Sequence, residues 1–153
     1  IKSDKPEYGI SQPFPKEYAA LILNEVKDYG LGSILYMSFD KNILEAPNTL
    51  NPSLKLVYLS EKKFLKRELK ALHFKPFALG LYYPTLNAKK VKFLREQRIS
   101  IYAWTVNDSI AAEQMMELGI DAIITDYPRT IIKARGSYSD RPKKFRTTGT
   151  PSF

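Results

Sequence analysis

The chain of 153 residues contains no cysteine and a single histidine, His73. The first absence excludes disulfides and thiolate metal sites, and is compatible with a cytosolic and an exported location alike. The second argues against a self-contained zinc site, which draws on several His or Cys ligands. No apolar run approaches the roughly 18 residues that cross a bilayer, so no transmembrane segment is expected. The generic chemical signatures are missing too. There is no phosphate-cradling glycine loop, no Gly-x-Ser-x-Gly elbow and no pair of metal-spaced histidines. The first residues, Ile-Lys-Ser-Asp-Lys-Pro, are neither an initiator methionine nor a signal peptide; the expectation is a chain whose beginning lies elsewhere.

What is present is ordinary for a globular domain with a core of its own: 44% hydrophobic and 26% charged residues. The net charge of +8 is unevenly placed. From Arg129 onward there are seven basic residues and one acid, whereas the preceding 128 residues carry 17 basic and 15 acidic groups. The body is near neutral and the tail basic. Such a tail reads first as a solvated extension, and alternatively as a contact for a polyanion or an anionic surface.

Short apolar runs alternate with amphipathic ones. Ser33–Phe39, Leu54–Leu59, Phe77–Tyr83, Ile99–Val106 and Ala122–Thr125 have the pattern of buried strands. Pro15–Tyr29, Glu61–Leu72, Asn87–Gln97, the stretch from Ser109 to Leu118 and Pro128–Ala134 read as helices, with Gly30 and Gly119 as stops and Ser109 as an expected cap. Between Phe39 and Leu54 a loop or short helix is expected. Strands and helices in regular alternation, with continuous rather than alternating apolar strands, predict a parallel sheet covered by helices. Five strands are short of the eight that close a (β/α)₈ barrel, and an open doubly wound sheet fits the pattern equally well. After Ala134 apolar periodicity fades, so residues 135–153 are expected to form a basic, poorly structured tail.

In a barrel the chemistry sits at the C-terminal strand ends. Those ends are Lys2, Ser38-Phe39-Asp40, Ser60, Tyr82-Tyr83, Trp104-Thr105-Val106-Asn107 and Thr125-Asp126-Tyr127. His73 ends a charged amphipathic helix and reads as a surface or structural residue.

Four of these ends carry a resemblance. Ile-Tyr-Ala-Trp-Thr-Val-Asn (101–107), followed by Leu-Gly-Ile-Asp-Ala-Ile-Ile-Thr-Asp-Tyr-Pro (118–128), resembles the closing signature of the glycerophosphodiester phosphodiesterase family. Ser38-Phe39-Asp40 with Pro52 and Leu56 resembles the family's middle strand, and Ile1-Lys2 the end of a Glu-Ile-Lys strand whose glutamate would precede this chain. The resemblance covers residues 1–134. It implies the C-terminal portion of a parallel (β/α)₈-type barrel that, when complete, hydrolyses glycerophosphodiesters to an alcohol and glycerol 3-phosphate with a divalent cation, Ca²⁺ or Mg²⁺.

The family's two catalytic histidines and its first metal carboxylates match nothing here. The resemblance therefore assigns no metal ligand to this chain and no cation to the fragment alone. It maps Lys2 onto the active-site lysine, which neutralises phosphoryl oxygens as charge builds. It maps Phe39 and Trp104 onto aromatic walls of the pocket, facing the mouth beside Lys2. Asn107 and Asp126 are expected to fix loops and cap helices. The expected partners are a small glycerophosphodiester substrate and a missing N-terminal half, or another chain, covering the open barrel edges. An alternative is a non-catalytic family member serving as a structural or binding subunit. Nucleic acid is not expected, because the excess charge lies in the tail and not on the folded elements.

Overall fold

The computed structural model describes residues 8–29, 34–61 and 65–139. Its strands are β1 (Leu35–Ser38), β2 (Lys55–Ser60), β3 (Ala78–Tyr82), β4 (Ser100–Trp104) and β5 (Ala122–Ile123). Its helices are α1 (Pro15–Val26), α2 (Lys41–Leu50), α3 (Leu65–Lys70), α4 (Ala88–Glu96), α5 (Ser109–Glu117) and α6 (Pro128–Ser139). The strands form one sheet in the order β1-β2-β3-β4-β5, so each lies beside its neighbour in the chain. A helix between successive strands returns the chain to the same end of the sheet, which is why the pairings run parallel: Leu35 to Lys55 through Ser38 to Tyr58, and Tyr102 to Ala122 with Ala103 to Ile123. The parallel β/α architecture expected from the sequence is the observed one. By internal packing the chain divides into two compact units, Ile1–Leu79 and Gly80–Phe153.

In the first unit α1 opens with Pro15, whose missing N–H costs nothing at a helix start. It packs on α2 with Ala19 fully buried. The stretch expected as loop or short helix is the ten-residue α2. Asp40 caps it, accepting from the Asn42 N–H at 2.9 Å. Ile43, Leu44 and Pro47 are buried on its inner side. Pro47 lies close enough to the end that it removes one backbone bond without breaking the helix; the Asn51 N–H closes on the Pro47 carbonyl at 2.8 Å. Leu56, Val57 and Tyr58 follow one another in β2 and are all buried, as a strand covered on both faces requires.

The second unit buries Val91 and Leu94 of α4, Ile101 and Ala103 of β4, and Ala111, Ala112 and Met115 of α5. Asn87 caps α4 through the Lys90 N–H at 3.0 Å. Two expectations shift here. The cap of α5 is Asp108, accepting from the Ala111 N–H at 2.8 Å, and Ser109 is the first helical residue instead. A carboxylate one position earlier offers the stronger acceptor to the same orphan N–H groups. Helix α6 also continues past Ala134 to Ser139. The strand expected to reach Tyr83 stops at Tyr82, and Tyr83–Thr85 forms a 3₁₀ turn at Pro84.

Candidate functional site

At the C-terminal end of β1, Ser38 is fully buried and its Oγ accepts from the Asp40 N–H at 3.0 Å. This turn holds the half-buried Phe39 between a buried serine and a helix cap. One Asp40 oxygen caps α2 and the other accepts a short hydrogen bond from the Tyr8 hydroxyl. Tyr8 arrives on a tight turn in which the Gly9 N–H donates to the Gln12 carbonyl at 2.8 Å, with Gly9 at φ +78°. Partial burial, reinforced by the Asp40 contact, pushes the Tyr8 phenol up to about 12. On β2 the Tyr58 hydroxyl donates to Glu68 Oε2 at 3.1 Å, and burial first, then the Glu68 charge, raises that phenol to about 12. The β1 end is thus a polar clasp around Phe39. The clasp was invisible to sequence reading, because Tyr8 and Asp40 are 32 residues apart and no local pattern links them.

In the second unit the C-terminal ends of β3 and β4 bring Tyr82 and Trp104 together. Their ring centroids are 5.6 Å apart with the planes tilted by 46°. Tyr83 adds an edge-on contact to Tyr82 at 5.9 Å. Such offset and edge arrangements suit the ring quadrupoles. Trp104, expected as a pocket wall, is partly exposed at its strand end, whereas Tyr82 is 42% exposed. Sequence reading placed Tyr82 at a strand end without assigning it to the site; the signal was its position, the apolar run Ala78–Leu81 ending abruptly in an aromatic.

Behind Trp104, Asn107 ties two loops together. Its Nδ2 donates to Asp126 Oδ2 at 2.8 Å, and its Oδ1 accepts from the Asp126 N–H at 3.0 Å and from Thr125 Oγ1 at 3.2 Å. Thr125 Oγ1 accepts from the Tyr127 N–H at 3.0 Å, turning the chain into α6. Asn107 and Asp126 are therefore loop-fixing residues, as expected.

At the opposite, N-terminal ends of β4 and β5, Asp121 accepts from the Ile101 N–H at 2.7 Å and from Arg95 Nη1 at 2.8 Å. Arg95 Nη2 also donates to the Gly119 carbonyl at 2.6 Å. Gly119 adopts φ +73°, which only glycine takes without strain.

Lys2 lies outside the described residues. His73 is 80% exposed, with Nδ1 3.6 Å from Glu45 Oε2. A groove of about 610 Å³ in the second unit is lined by Tyr83, Pro84, Leu86, Met115 and Leu118 with Gln114 and Glu117. Among the described residues no group of three or more His, Asp or Glu side chains is placed to hold a metal ion. These residues do not fit a hard cation, which needs several oxygen ligands around it.

The glycerophosphoryl diester phosphodiesterase family model matches residues 4–130. The chain belongs to that family. It is 27% identical over 111 residues to a glycerophosphodiester phosphodiesterase of Bacillus subtilis, an alignment covering 70% of this chain and 38% of the relative. Among solved structures, a glycerophosphodiester phosphodiesterase from Parabacteroides distasonis superposes with a TM-score of 0.67 at 28% identity, covering 85% of this chain and 56% of that one. An Oleispira antarctica phosphodiesterase, solved with the product sn-glycerol-3-phosphate, gives 0.71 at 21% identity, covering 82% and 53%. The chain spans less than half the length of the curated relatives it matches.

Proposed function

We propose that this chain is the C-terminal part of a phosphodiesterase that hydrolyses glycerophosphodiesters to an alcohol and glycerol 3-phosphate. The observation that carries the proposal is the pairing of the two signature strand ends. Trp104 stands at the C-terminal end of β4, and Asn107 bonds that loop to Thr125 and Asp126. That construction holds a pocket wall still at the end of the sheet where β/α enzymes do chemistry.

The chain's own contribution is binding and charge. Phe39 and Trp104 wall the substrate. Lys2 is the catalytic residue proposed here, its ammonium facing the phosphoryl oxygens as they gain negative charge. Cleavage also requires a base, an acid for the leaving oxygen, and a cation cage for Ca²⁺ or Mg²⁺. In this proposal a catalytic N-terminal half supplies these, and the fragment alone is inactive. The same half covers the open barrel edges, which would otherwise invite association.

The test joins the chain to such a half, in cis or in trans, and measures glycerol 3-phosphate released from glycerophosphocholine. Metal-dependent release that falls on Lys2→Ala supports the proposal. No release from any glycerophosphodiester by the joined protein points instead to a structural or binding subunit.

A further inference from the structure

We propose that copies of this chain associate through two different faces, α1 of one copy seating on α6 of the next. This association is independent of the phosphodiesterase reading.

Helix α1 buries Ala19 and packs on α2, and leaves another side open. Phe14, Glu17, Leu21, Glu25 and Asp28 follow one another at spacings of three and four, so they line up along α1 and its 3₁₀ continuation Lys27–Tyr29. All five are exposed, Phe14 by 56% and Leu21 by 60%. Two apolar side chains thus share the stripe with three acids, and Lys16 and Lys27 fall outside its spacing.

Helix α6 packs on α5 and buries Ile131 and Ala134. Its open side carries Ile132, 68% exposed, with the exposed Arg129 and Arg135 three residues to either side and Lys133 next to it. The helix has these three bases and no acid. Among the described residues none of the three, and neither Glu25 nor Asp28, is ion-paired.

The two faces match in kind. Both helices have 12 residues, about 18 Å of length. Each sets apolar side chains among charges of one sign, and the sign is opposite on the other. A lone exposed leucine is ordinary; complementary charge around exposed apolar residues on two faces of one chain is what points to a second copy. Like faces repel, so α1 meets α6 and not another α1. Each copy offers both faces, so the contact is heterologous and closes into a ring or continues as a string. One helix pair is small beside a standard interface of roughly 1,600 Å², so the association is reversible.

Sedimentation of the 153-residue chain over a range of concentrations tests this, with circular dichroism showing that each variant is folded. Arg129→Glu with Lys133→Glu makes both faces acidic; Glu25→Lys with Asp28→Lys makes both basic. Glu17 is left in place because it accepts from the Phe14 N–H at 3.3 Å. The wild type should associate as concentration rises, and each double variant alone at least about tenfold more weakly. An equimolar mixture of the two should recover association, since acid again meets base. Leu21→Gln and Ile132→Gln keep the charges, should weaken association too, and decide the matter if a charge reversal fails to fold. A wild type that stays monomeric throughout would overturn the proposal and leave these faces to an N-terminal half or, for α6, an anionic surface. Variants that associate as well as the wild type, or a mixture no better than its components, would overturn it as well.

Discussion

The two ends of strands β4 and β5 are built from one sequence signature and do opposite work. At the N-terminal end, Arg95, Gly119 and Asp121 form a clamp of short charged bonds onto backbone, 2.6–2.8 Å long. It sets where β5 enters beside β4. At the C-terminal end, the exposed Asn107 and Asp126 and the half-buried Thr125 are bonded at 2.8–3.2 Å, holding loops beside the partly exposed Trp104. The signature is thus half strand clamp and half loop fixing. Aspartate in such a motif is no evidence of chemistry by itself; what matters is which end of the strand it serves.

Asp121→Ala should give the largest effect. It leaves the Arg95 guanidinium and the Ile101 N–H without their carboxylate, and bonds to charged groups contribute about 1.5–3 kcal/mol. Urea unfolding should show a loss in that range. Asn107→Ala should cost less, about 1 kcal/mol, since its bonds are exposed. Unlike Asp121→Ala, it should also broaden the environment of Trp104, seen as a red-shifted emission. Equal stability losses with unchanged emission for both would erase the contrast between the two ends.

The third expected effect lies in the first unit. Tyr8 and Tyr58 both have phenols raised from the ordinary 10.0 to about 12, chiefly by burial. A raised folded-state value means that the neutral phenol is favoured in the folded protein. The stability this represents is fully present below pH 10 and is lost as pH rises from 10 toward 12. Urea unfolding at pH 9 and pH 11 should show that loss, and Tyr58→Phe should shrink it. An unchanged pH dependence in the variant would remove Tyr58 from the account.

The smallest expected effect lies at the end of α4. Arg98 adopts φ +56°, where a side chain crowds its own backbone. Arg98→Gly should raise stability by up to about 1 kcal/mol. A drop would show that the arginine side chain contributes more than its backbone costs.

The strands were legible in the sequence because parallel strands covered by helices are continuous apolar runs, as Leu56–Tyr58 and Ala78–Leu81 show. Helix α4 was legible from Asn87, Val91 and Leu94. Helix α2 was not fully so: Pro47, Asn48 and Thr49 argue against a helix locally, while burial of Ile43, Leu44 and Pro47 overrides that preference. Helix α5 took Asp108 as cap where Ser109 was expected, a one-residue ambiguity between two good capping residues. Of the candidate site, Trp104, Asn107 and Asp126 were readable because local motifs carry them, whereas the bond between the last two came from the fold. Tyr8 on Asp40 and Tyr82 on Trp104 join residues 32 and 22 positions apart, and only the fold brings such pairs together.

The central claim is that this chain supplies walls and one phosphate-facing lysine, but neither the base nor the metal cage. The direct measurement is glycerol 3-phosphate release from glycerophosphocholine by the purified 153-residue chain with Ca²⁺ or Mg²⁺, alongside Lys2→Ala. The account predicts no turnover above background for either. Metal-dependent turnover well above the Lys2→Ala variant would contradict it, and would place the catalytic centre among residues assigned here to structure.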